Sequence, residues 1–188
     1  TMPEDKSQKP DFKTPNTKDG LTPYGIEMVK EMNRLGIIID VSHLSDAGFY
    51  DVLKYTTGPF VASHSNARAV CPHVRNLTDD MIRELAKRGG VTGINYCADF
   101  LREAKEGEKN FSYIADMVKH ISHIVEVGGI DCVGLGSDFD GIEQNLEMKD
   151  ASYLPQLAQA LKDAGFSEED IEKIFYKNVL RVFKEVTK

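Results

Sequence analysis

Several features that would classify a chain early are missing here. The three cysteines, Cys71, Cys97 and Cys132, have no CxxC spacing and leave one unpaired, which argues against a disulfide framework and a structural zinc module. That usage favours a reducing, cytoplasmic compartment. Clustered positive charge is also lacking: the formal net charge is -7, whereas phosphate binding needs grouped Lys and Arg, so no nucleic-acid partner is expected. No apolar run approaches the roughly 20 residues of a membrane span, and the N-terminal stretch is polar rather than signal-like.

What is present is enough for one domain: 188 residues, of which 41% are hydrophobic. Residues 1–20 show no period of 2 or 3.6 and read as a loop or tail, leaving 21–188 as the folded part. Thr22-Pro23 is an N-cap followed by proline at the first helical position, and Gly36 is a stop, so a helix is expected between them. Ile37–His43 and Pro59–Ser65 are short apolar runs, each ending in Ser-His, and read as buried strands. Further strands are expected at 91–95 and 132–136, with helices at 45–56, 78–88 and 111–127 between them. Two closing helices cover 153–164 and 171–186, the latter introduced by Ser167 with Asp170 three residues on.

Alternating strands and helices predict an α/β fold of four parallel βα units plus C-terminal helices. Such a set suits a small open sheet or half of a TIM-like (β/α)8 barrel. A nucleotide-binding open sheet would carry a glycine-rich turn after its first strand, and Asp40–Leu44 has no glycine. His43, His64, Asn95 and Asp138 all fall at C-terminal strand ends, where barrels place catalytic groups, so the half-barrel is preferred.

One strand-end histidine is more often a hydrogen-bonded structural residue than a ligand. Two at equivalent places on neighbouring strands, about 4.8 Å apart, point to His43 and His64 sharing a metal ion. Asp138, following Gly134 and Gly136, is suited to ligate metal or move a proton, and equally suited to cap the turn before Gly141. The loop from Ser65 to Asn76 is long for a βα connection and suggests a substrate wall, with Arg75 or Arg68 able to clamp a carboxylate or simply to lie in solvent. His73, in the same loop, is assigned no role. His120 and His123, at i and i+3 in a helix whose apolar stripe is Ile114, Met117, Ile121, Ile124 and Val125, read as helix-surface or packing residues, not ligands.

Gly20–Gly25, Asn33–Gly36 leading into Ile39–His43, Ser63-His64-Ser65, Arg75-Asn76, Gly136–Gly141 and Asn178–Phe183 stand in a specific order. Together they resemble the membrane (renal) dipeptidase family of zinc peptidases, over essentially all of 20–186. The resemblance implies the C-terminal half of a (β/α)8 barrel that holds two zinc ions joined by a bridging glutamate and cleaves dipeptides. Within it, His43 and His64 match two histidines of the second zinc, Arg75 the arginine that engages substrate, and Asp138 the aspartate that protonates the leaving amine. The family's His-x-Asp pair, bridging glutamate and a further histidine have no match here, and Tyr96-Cys97 stands where the family tends to read Phe-Tyr. The expected partners are therefore a dipeptide, the missing N-terminal half and, in some assemblies, a second copy as a homodimer. The isolated chain is expected to be inactive. A different metal-dependent barrel hydrolase, such as a deaminase or esterase, and a non-catalytic half-barrel binding module are the rival readings.

Overall fold

Local signals start several of the helices. In the computed structural model, which describes residues 14–187 apart from 105, 106 and 108, the Thr22 hydroxyl accepts the Gly25 N–H and Gly36 closes the helix at φ 68°, defining α1 (Pro23–Leu35). Ser45 and Thr78 cap α2 (Asp46–Tyr55) and α3 (Asp79–Lys87) in the same way. Then come the short α4 (Ala98–Leu101), the long α5 (Ile114–Gly128) and α6 (Leu154–Asp163). Ser167 and Asp170 form a reciprocal capping box on α7 (Glu168–Glu172), which runs through a π-helical turn, Lys173–Lys177, into α8 (Asn178–Val186). The N-terminal tail read at 1–20 lies mostly outside the described residues, and 14–22 are irregular. Among the described residues no helix is long and apolar enough to cross a membrane.

The sheet is parallel, in the order β1 (Val61–Ala62), β2 (Val91–Asn95), β3 (Val133–Ser137). The strand expected at 37–42 is reduced to a bridge between Asp40 and Val61, held by Val61 N–H to Ile39 O and Val41 N–H to Val61 O, both 2.9 Å. The reason lies in Asp40. Its Oδ1 accepts the peptide N–H groups of Ser42 at 3.0 Å and Ser63 at 2.9 Å, so a side chain takes donors that a longer ladder would use. β1 is cut to two residues by the same competition. The helix expected from 111 begins at Ile114 instead, because Ser112 pairs with Leu146 and the Glu147 carboxylate accepts the Ile114 N–H at 2.8 Å.

All five residues of β2 are buried, and Ile82, Leu85, Met117, Ile121 and Ile124 of α3 and α5 are fully so. Backbone runs close over the opposite side: a Cβ on Gly93 or Gly136 would lie 2.1 Å from Ser63 O, so neither position admits a side chain. That close approach brings the chain after β1 across the ends of β2 and β3.

Candidate metal centre

The first bridge and the three strands deliver their ends to one place. After Val41 the chain turns, Leu44 N–H donating to Val41 O at 2.9 Å, and presents His43 at the surface. After β1 it presents His64, whose N–H donates to Ser42 Oγ at 2.9 Å. The two imidazoles meet with ring centroids 4.9 Å apart and Nε2 atoms 2.9 Å apart.

Hydrogen-bond polarity decides what those nitrogens carry. Ser63 Oγ donates to Asp40 Oδ2 and therefore accepts at 2.7 Å from His64 Nδ1, which leaves the lone pair of His64 on Nε2. On the other ring, the Arg75 guanidinium faces His43 Nε2 at 3.4 Å, and a guanidinium only donates. The two Nε2 atoms thus face the same space, with His64 offering its lone pair there, and 2.9 Å is short enough for one zinc at about 2.0–2.1 Å from each nitrogen. Burial, then the Arg75 charge and His64, hold His43 below the ordinary imidazole range, which favours the neutral, ligating form. Burial pushes the Asp40 carboxyl up, but its hydrogen bonds from Ser63 and Ser42 win and hold it below the usual value. Among the described residues no three His, Cys, Asp or Glu side chains converge as a ligand set, so two histidines fit a metal but do not complete its shell.

Arg75 donates from Nε to Ser42 O at 2.9 Å and stacks its guanidinium 5.3 Å from the centre of the Phe100 ring. Arg68 is used differently. It makes two bonds of 2.7 and 2.8 Å to the Asp46 carboxylate and also reaches Asn76 O and Val74 O, so it ties both ends of the Arg75 loop to α2. Of the two arginines considered as clamps, only Arg75 faces the histidines. His73 lies under the loop, its Nδ1 accepting the Arg75 N–H at 3.1 Å and its ring 4.5 Å from that of Phe100.

Asp138 ends β3 with backbone in the left-handed region, φ 70° after Ser137 at φ 35°. For non-glycine residues such angles cost about 1–3 kcal/mol each and persist only where surroundings impose them. Here the imposing neighbour is Asn95, fully buried at the end of β2, whose Nδ2 donates to Asp138 Oδ2 at 3.0 Å and to His64 O at 3.4 Å. One amide thus links the end of β1 to the aspartate. The turn role is also real: Asp138 O accepts the Gly141 N–H at 3.0 Å, while its carboxylate serves Asn95.

His43, His64, Arg75 and Asp138 are brought together. His120 and His123 stand apart on α5, as does the groove of about 670 Å³ between α5 and α6, which is lined by Arg102, Tyr113, Glu147 and Gln159 among others and shares no residue with this centre. The sequence pattern places Asn95 at a strand end where catalytic groups gather without giving it a specific task, and it assigns no role to Asp40 or Ser63. The signal was available for the latter two, since Asp40 and Ser63 stand within three residues of the histidines they serve.

A family model described as membrane dipeptidase, peptidase family M19, matches residues 4–188. The chain belongs to the membrane dipeptidase family. It is 42% identical over 168 residues to an uncharacterised dipeptidase of Schizosaccharomyces pombe, covering 88% of this chain and 40% of that one. With the dipeptidase tcpJ of Claviceps purpurea it shares 39% over 168 residues, covering 89% of this chain and 39% of that one. A Klebsiella pneumoniae protein from the pqqA 5' region is 40% identical over 173 residues, covering 92% and 64%. Among solved structures, a Rhodobacter sphaeroides metallopeptidase liganded with a phosphinate mimic of the dipeptide L-Ala-D-Ala superposes with a TM-score of 0.84 at 36% identity, covering 93% of this chain and 50% of that one. The M19 metallopeptidase called dipeptidase AC superposes equally well, TM-score 0.84, with 52% of its length covered. This member of the family therefore spans about half the length of most of these relatives.

Proposed function

We propose that residues 21–188 form the C-terminal half of a (β/α)8 barrel and supply one half of a binuclear zinc centre that hydrolyses dipeptides. The observation that carries the reading is the pair of Nε2 atoms held 2.9 Å apart, His64 oriented by Ser63 and His43 lying beside Arg75. Family membership supports it, as does the dipeptide mimic bound by a relative. The half-barrel is supported by α8, which with the turn before it leaves Tyr176, Val179, Leu180 and Phe183 exposed at helical spacing, an apolar face that further barrel elements would cover.

In this reading His43 and His64 hold one zinc, which supplies Lewis-acid polarisation of the scissile carbonyl and lowers the pKa of water. Arg75 has Nε committed to Ser42 O, so its outer N–H groups are the ones turned to the substrate carboxylate, where a guanidinium fork fits two oxygens. Asp138, fixed by Asn95, takes the proton of the attacking water and returns it to the leaving nitrogen. The Phe100 ring, packed on Arg75, keeps the guanidinium from swinging into solvent.

Two ligands do not complete a catalytic site, which normally takes three protein ligands and a water. The purified 188-residue chain is expected to bind zinc weakly, through His43 and His64, and to turn over no dipeptide. Zinc titration followed by histidine NMR and a dipeptidase assay test this. Unperturbed histidine resonances or measurable turnover would overturn it. With the upstream half restored, dipeptides should be cleaved in preference to esters and nucleosides.

A further inference from the structure

We propose that Asp40, acting through the Ser63 hydroxyl, is the positioning residue that sets which ring nitrogen His64 offers to a cation. The inference rests on the metal-centre reading for its purpose but not for its geometry. A serine hydroxyl has one proton to donate. Ser63 gives that proton to Asp40 Oδ2, so at 2.7 Å from His64 Nδ1 it can only accept. Nδ1 therefore carries the ring proton and Nε2 faces His43 bare. With the opposite tautomer, the hydroxyl oxygen and Nδ1 would meet lone pair to lone pair.

Asp40 cannot easily turn away, because its other oxygen accepts the Ser42 and Ser63 peptide N–H groups at 3.0 and 2.9 Å. Those bonds have a second effect. Ser42 adjoins His43, and Ser63 adjoins His64, so one carboxylate fixes the backbone before both imidazoles and the protonation pattern of one. Asp40 touches no cation in this scheme. It acts as the outer carboxylate that orients a ligating histidine, with a serine interposed.

The substitution Asp40→Asn separates this role from a structural one. The two peptide donors hold Asn Oδ1 in place, so Nδ2 faces Ser63 and now donates to it. The hydroxyl proton must then turn to His64 Nδ1, and the ring is forced into the Nε2–H form. Two-bond 1H–15N correlation spectra of the metal-free, 15N-labelled full chain at a pH of about 8, above the ordinary imidazole range, read the tautomer directly. Wild type should show His64 protonated on Nδ1, and Asp40→Asn should show it protonated on Nε2, with zinc affinity lowered about 10–100-fold as for other outer-sphere changes. Ser63→Ala should lose the preference and Ser63→Thr should keep it, which decides the matter if Asp40→Asn does not fold. A wild-type His64 protonated on Nε2, or a tautomer indifferent to both Asp40→Asn and Ser63→Ala, overturns the proposal. If the tautomer behaves as stated but zinc leaves His43 and His64 unshifted, the relay stands and the metal-centre reading falls.

Discussion

His64 and His120 are both held by defined hydrogen bonds, with opposite polarity. In His64 the protein satisfies Nδ1 through Ser63, and Nε2 is left facing another imidazole. In His120, fully buried on α5, Nδ1 accepts the Ala67 N–H at 3.1 Å and Nε2 donates to Leu101 O at 3.0 Å. One ring keeps a lone pair in reserve at the C-terminal edge of a sheet, and the other spends both nitrogens joining the loop at Ala67 and the end of α4 to α5. A histidine's role is thus read from which nitrogen remains uncommitted, not from its burial or its neighbours in sequence.

The largest effect that would test the contrast is on stability. His120→Ala strands a buried peptide N–H and a carbonyl and leaves a cavity, so it should cost about 4 kcal/mol. Urea denaturation measures this. A loss below about 1 kcal/mol would mean that the loop at Ala67 and the end of α4 are held by something else.

Next is the dependence on pH. Burial, foremost, pulls the His120 pKa from 6.5 down to about 4, with His123 and Lys119 pushing the same way and Leu101 O and Asp116 opposing. Between those values the unfolded chain binds a proton that the native chain refuses. The stabilisation is therefore fully present above pH 6.5 and is lost as pH falls toward 4, a difference of about 3 kcal/mol. Carboxylates titrate in the lower part of this range too, so the measure is the difference between wild type and His120→Gln, which lacks the ionisable ring. Parallel pH curves for the two would remove His120 from the account.

His64→Ala should do the reverse of His120→Ala. Zinc affinity should fall about 100-fold, while stability changes by less than about 1 kcal/mol, because the ring is only half-buried and Ser63 keeps its bond to Asp40. Calorimetric zinc titration and urea midpoints on the same variant give both numbers. A large stability loss with zinc binding intact would make the two histidines alike.

Much of this was legible in the sequence, and the limits have a physical cause. The caps at Thr22, Ser45, Thr78 and Ser167 act within three or four residues, and so does the Ser-His ending of each run. What could not be read is bonding across long separations. Asn95 reaches Asp138 over 43 residues, Ser63 reaches Asp40 over 23, and His120 reaches Ala67 over 53. The shortened strands belong to the same class, since a carboxylate took the place of backbone acceptors. Locally, His120 reads as a packing or surface residue, and nothing in the sequence distinguishes its side of the helix from that of His123, about one-sixth of a turn away around the axis on a 3.6-residue period.

His123 supplies the smallest expected effect and the finest test. Its Nε2 lies 2.7 Å from Asp79 Oδ1 in the first turn of α3, and both side chains stay partly open to solvent, 24% and 35% exposed. Pairs of this kind are worth about 0–1 kcal/mol. The helix start does not depend on it, because Thr78 already caps α3 and Asp79 and Asp80 lie in its first turn, where acidic groups favour the helix dipole. His123→Gln keeps an N–H donor near Asp79 and should shift stability by less than about 0.5 kcal/mol. Because water can replace its partner, neither committing nor sparing a nitrogen has much energetic consequence at this position. If urea denaturation instead gave a loss above about 1.5 kcal/mol, exposure would not be what separates the weakly held His123 from His120, and nitrogen commitment alone would have to explain both.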